Sequence, residues 1–97
     1  MSVLRLTRFV AADPQQVDEI LAARAALIAA VRATTDSLTE TKLARVDDET
    51  WLDVWRWESG EALDQVTAVA PNLPEAKAAF ALVKDATVER YDLVDER

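Results

Sequence analysis

The amino-acid sequence predicts an α+β domain in which a four-stranded antiparallel sheet carries its helices on one face. Three observations predict it. Segments of period two and segments of helical period follow one another in the order β-α-β-β-α-β. The two strands that are consecutive in the chain are separated only by Asp47-Asp48-Glu49, which suits a hairpin turn. The right-handed crossover rule then places strands one and three at the centre of the sheet. This is the ferredoxin-like arrangement, and 97 residues suit one such domain over residues 1–97.

The first strand is Val3 to Val10, rich in β-branched and aromatic residues. Asp13-Pro14-Gln15-Gln16 reads as a helix start, with Asp13 as cap, Pro14 in the first turn and Gln16 completing a capping box. Val17, Ile20, Leu21, Leu27, Ile28 and Val31 then recur at helical spacing among many alanines, to about Ala33. Arg24 projects along the middle of this apolar stripe, at about 100° per residue. A guanidinium there must snorkel out, pair with an acid or meet an anionic ligand.

Leu38 to Val46 is the second strand, and Thr50 to Ser59 carries the third. All three tryptophans lie in that third segment, with Trp51, Asp53, Trp55 and Trp57 on one face and Leu52, Val54 and Arg56 on the other. With Asp48-Glu49 as a two-residue loop, Val46 faces Trp51, Ala44 faces Asp53, Lys42 faces Trp55 and Glu40 faces Trp57. A change of one residue in loop length would turn that set to the opposite face. Ser59 is the expected cap of a second helix carrying Leu63, Val66 and Ala70. Pro71 interrupts it, and Pro74 opens a further helical piece presenting Ala76, Phe80 and Val83. The fourth strand is read over Thr87 to Val94.

Composition narrows the chemistry. The net charge of -7 argues against nucleic acid or an anionic membrane as partner. Without cysteine or histidine there is no disulfide, no thiolate or imidazole metal site, no haem ligand of the histidine kind and no Ser-His pair. No Asp/Glu spacing resembles a calcium loop, so no metal is expected. The N-terminus lacks a signal-peptide profile and no apolar run could span a bilayer, which makes a cytoplasmic location the default expectation. Apolar residues on both parities of the strands leave one sheet face uncovered, and a second copy packed sheet to sheet would cover it, so a homodimer is expected.

The element order and the segment Trp57-Glu58-Ser59-Gly60-Glu61-Ala62-Leu63 resemble the antibiotic biosynthesis monooxygenase family of dimeric α/β barrels. The element order matches over nearly the whole chain, while the motif is short and shared by related barrel families. Where many members of that family carry a histidine after the Glu-Ala-Leu run, this chain has Asp64-Gln65-Val66, and the usual Pro-Gly before the second strand is Asp36-Ser37. The haem-degrading branch requires an Asn on the first strand, a Trp on the second helix and a proximal His. This chain has Leu4 or Leu6, no Trp beyond Trp57 and no His, so haem is not expected.

The resemblance implies oxidation of an electron-rich aromatic or quinol-type substrate by dioxygen, with no cofactor. Such a reaction needs an aromatic slot, a group that stabilises the substrate anion and a proton acceptor. Asp53 is the candidate base and Arg24 the candidate anion stabiliser, if the tryptophan face is the helix-covered one. Trp51, Trp55, Trp57 and Tyr91 are the candidate substrate contacts. Each also has a plainer reading. Trp57 can pack under the second helix, Trp51 or Trp55 can lie in a dimer seam, and Tyr91 can sit at the barrel edge. Asp53 can pair with Lys42, Arg24 or Arg8. Arg5 and Arg8 lie on opposite faces of the first strand, so only one can face a pocket. The alternative for the whole chain is a non-catalytic barrel that binds a small apolar ligand or serves as an interaction module.

Overall fold

A computed structural model describes residues Met1–Arg97. The sheet is built of β1 (Val3–Ala11), β2 (Leu38–Arg45), β3 (Thr50–Trp57) and β4 (Val83–Asp92), in the order β2-β3-β1-β4 and antiparallel throughout. As the crossover rule predicts, β1 and β3 are the central strands. Helix α1 (Val17–Thr34) connects β1 to β2, while α2 (Gly60–Thr67) and α3 (Pro74–Phe80) connect β3 to β4. The helices cover one face of the sheet, which is the ferredoxin-like fold.

Local signals act largely as expected at the helix starts. The Ser59 hydroxyl accepts a hydrogen bond from the Ala62 amide at 3.1 Å and caps α2. Asp13 accepts from the Gln15 amide at 2.9 Å, but the first turn, Pro14–Gln16, is a 3-10 turn, and the Gln16 side chain makes no capping bond. The expected capping box is therefore replaced by a single Asp cap. Pro71 falls in a second 3-10 turn, Ala70–Asn72, and Pro74 opens α3.

The main core gathers Val3, Ile28, Val31, Leu38, Trp57, Leu63 and Val66, and a smaller one gathers Phe9, Ala11 and Ile20. Both lie between helices and sheet, so the tryptophan face of β3 is the helix-covered face. On α1 the buried side is set by Ile20, Ile28 and Val31, whereas Leu21 turns outward and is 44% exposed. The opposite face of the central strands presents Leu4 and Leu6 beside Val54 and Leu52, all only half-buried.

The β2–β3 register differs from the expected one by one residue. Arg45 pairs with Trp51, Leu43 with Asp53 and Thr41 with Trp55, with a bulge between Leu38 and Glu40. The cause is the turn. The Asp47 carboxylate accepts hydrogen bonds from the amides of Glu49 (2.9 Å) and Thr50 (2.8 Å), and the amide of Val46 donates to the Thr50 carbonyl at 2.8 Å. This side chain-to-backbone bonding lengthens the loop to Val46–Glu49. Lys42 is thereby turned to the open face, where it pairs with Glu40 at 2.8 Å rather than with Asp53.

Strand β4 starts at Val83, four residues before the expected Thr87. A bulge opposite Phe9 makes this extension workable, because Arg8 pairs with Thr87 while Val10 pairs with Lys84. Asp85 in the bulge has φ 55°, a conformation that Asp tolerates better than most residues. The extra residue shifts the side-chain phase, so that Val83 and Val88 both sit on the helix-side face.

Candidate functional site

Between α1 and the sheet lies a cavity of about 190 Å³. Its floor is the helix-side face of the two central strands, with Arg5, Thr7 and Phe9 from β1 and Asp53, Trp55 and Trp57 from β3. Helix α1 supplies the roof at positions three and four apart, Ile20, Arg24, Leu27 and Val31. Residues of α2, α3 and the turn between them close the sides. Thr67, Pro71 and Phe80 line the cavity and are themselves exposed, so they mark its mouth.

One ionic cluster bridges roof and floor. Arg24 on α1 donates from Nε to Asp53 Oδ2 and from Nη2 to Asp53 Oδ1, both at 3.1 Å. The indole of Trp55 donates to the same Oδ1 from Nε1 at 2.8 Å. The side chains of Arg24 and Asp53 are 19% and 13% exposed, so the fork-to-carboxylate pair works largely out of water. The pairing explains how an arginine stands in the apolar stripe of α1. Its charge is neutralised by an acid of the strand beneath, as one of the alternatives read from the sequence requires.

The aromatic wall is narrower than the sequence suggests. Trp55 and Trp57 sit side by side, ring centroids 6.3 Å apart and tilted by 35°. Trp57 also belongs to the core, 2% exposed beside Leu63 and Val66, with its indole N–H buried and unpartnered. Trp51 is outside the cavity: it packs on the Phe9 cluster, and the guanidinium of Arg45 lies over its ring at 4.6 Å. Tyr91 is on the opposite face of the sheet, paired in register with Leu4, and donates to Glu89. Its hydroxyl therefore cannot reach a ligand in the cavity of the same chain. That contact with Glu89 raises the phenol pKa.

Arg5 is the cavity residue whose role sequence reasoning left undecided. It pairs in register with Trp55, next to the Asp53 position, and its guanidinium takes part in none of the ion pairs of the molecule. Burial lowers its pKa, against the opposing pull of the Asp53 carboxylate. An arginine nonetheless stays charged in a protein. The available signal was parity, since Arg5 shares its face with Val3, Thr7 and Phe9. Leu4, Leu6 and Val10 make the other parity equally apolar, so the sequence alone leaves the choice open.

No cluster of three or more Asp, Glu, Cys or His side chains is placed to hold a metal ion. No helix is long and apolar enough to cross a membrane.

A four-stranded antiparallel sheet with helices on one face and a cavity between the layers defines a ferredoxin-like α+β domain. Its fold is the one found among the antibiotic biosynthesis monooxygenases and related dimeric proteins. SnoaB, a cofactor-independent oxygenase from Streptomyces nogalater, superposes with a TM-score of 0.78 at 21% identity, over 98% of this chain and 95% of that one. A candidate antibiotic biosynthesis monooxygenase from Caulobacter crescentus matches with a TM-score of 0.71 at 16% identity, over 97% and 92%. A dimeric ferredoxin-like protein from an uncultured marine organism matches with a TM-score of 0.72 at 12% identity, over 99% and 90%. Neither the protein-family models nor the curated proteins give a match to the chain.

Proposed function

We propose that this chain is a cofactor-independent monooxygenase acting on an aromatic or quinol-type small molecule, and that it works as a homodimer. The observation that carries the reading is the meeting of Asp53, Arg24 and Trp55 on the wall of one largely apolar cavity. The fold shared with SnoaB supports it. The half-buried apolar face of Leu4, Leu6, Leu52 and Val54 supports the dimer, as does the dimeric relative.

The chemistry uses the substrate as its own reductant. A phenol lodged against Trp55 loses its proton, and Asp53 is the only carboxylate on the cavity wall to take it. Arg24, held by Asp53 through Nε and Nη2, keeps Nη1 for the developing phenolate. The phenolate gives one electron to dioxygen, and the resulting superoxide adds to the para carbon of the substrate radical. The peroxide then loses water to leave a carbonyl. One phenol and one dioxygen thus give one para-quinone and one water.

The test is dioxygen uptake with 1-naphthol, whose para carbon is free. Monooxygenation predicts uptake above buffer with growth of quinone absorbance, and a loss of at least about tenfold in Asp53→Asn, in the range of a lost proton acceptor. A second reading, ligand binding without turnover, is favoured by one observation: Asp53 already accepts three hydrogen bonds from the protein itself. It predicts binding of 1-naphthol with no uptake.

A further inference from the structure

The ionisable side chains on the cavity wall are Arg5, Arg24 and Asp53, two cations and one anion. Arg24 and Asp53 neutralise each other through their two-point pair. Arg5 is left over, so the cavity carries one uncompensated positive charge inside a protein whose net charge is -7. A charge partly withdrawn from water is costly unless it is paired, and half-buried Arg5 has mainly apolar surroundings.

We infer that Arg5 is the receptor for an oxyanion on the ligand, and that the cavity takes small flat aromatic compounds bearing a single negative charge. Geometry supports both halves. Arg5 stands opposite Trp55 in the β1–β3 register, so a ring lying on Trp55 has its edge within the reach of the guanidinium fork. That fork matches the two oxygens of a carboxylate, which leaves the phenol oxygen to Arg24. Size sets the limit. A cavity of about 190 Å³ is somewhat larger than the ~150 Å³ known to hold one benzene ring, which suits one or two fused rings and not an extended polycycle. The inference deepens the proposed function by naming the substrate class of the same cavity, but the binding it describes does not depend on turnover.

Isothermal titration calorimetry of the full chain with 1-naphthoate and with its neutral counterpart 1-naphthamide tests it. The expected result is at least about tenfold tighter binding of the carboxylate, the equivalent of one charge-assisted hydrogen bond. Arg5→Gln removes that preference, while Arg5→Lys, which keeps the charge but not the fork, restores part of it. Equal affinity of the wild-type chain for the two compounds, or binding of neither, overturns the inference without recourse to any variant. A carboxylate preference without dioxygen uptake leaves the receptor standing and removes the oxygenase, whereas uptake without the preference does the reverse.

Discussion

Arg24 and Asp53 face each other across the helix–sheet interface, joined by two hydrogen bonds of 3.1 Å that run from one side of the guanidinium to both carboxylate oxygens. The pair ties the roof of the cavity to its floor. It is both the charged link between α1 and β3 and the centre of the proposed chemistry.

Breaking that pair by Asp53→Ala leaves a guanidinium largely out of water without its acid. The expected cost is about 3 kcal/mol of unfolding free energy, at the lower end for a buried pair because both side chains keep some exposure. Arg24→Ala should cost a similar amount. The double variant should cost less than the sum by about 2 kcal/mol, since the second truncation removes a charge already stranded by the first. Urea titrations of the four chains give that coupling directly.

The tryptophans should separate by place in the fold. Trp57→Ala empties a fully buried site beside Leu63 and Val66 and should cost about 4 kcal/mol. Trp57→Phe should be far milder, because it also removes an indole N–H that has no partner. Trp51→Ala, at a half-exposed position under Arg45, should cost clearly less than Trp57→Ala. Thermal denaturation of the three variants tests the order.

The hairpin turn predicts a pH dependence. Hydrogen bonds from the Glu49 and Thr50 amides hold the Asp47 carboxyl below the usual carboxylate range. A group with a depressed folded pKa stabilises the fold above its unfolded pKa, and that contribution is lost as pH falls through the folded value. Asp47→Ala should therefore be less stable than the wild type near neutrality, with the two denaturation midpoints converging as pH falls below about 4, the unfolded carboxylate value. A constant difference across that range would contradict the assignment.

The proposed dimer has its own test. Leu6 and Val54 are neighbours on the open face of β1 and β3. A charge there, as in Leu6→Glu, should give a monomer by light scattering while leaving the far-ultraviolet circular dichroism unchanged, because the helix-side core is untouched. A wild-type monomer at micromolar concentration would remove the proposal.

Much of the architecture could be read from local chemistry. Period-two strands, the Ser59 cap and the prolines at Pro14, Pro71 and Pro74 mark elements whose causes lie within a few residues of one another, and the crossover rule orders the central strands. What escaped reading depends on side chains that rewrite the backbone. Asp47 bonds to its own turn and shifts the β2–β3 register, and Asp85 in the left-handed region lets β4 begin at Val83. The site was half legible for a related reason. Asp53 and Arg24 announce themselves as charges on otherwise apolar faces. Arg5 does not, because both parities of β1 are apolar and only the packed layers decide which one the helices cover. Tyr91 and Trp51 failed to join the cavity through the same dependence on face and distance along the strand.

The most direct measurement is the fate of isotopically labelled dioxygen in the presence of the chain and 1-naphthol. The proposed reaction predicts a quinone carrying one labelled oxygen, formed above the buffer rate, with the other labelled oxygen in water. Quinone without label, or no product above buffer, would contradict it.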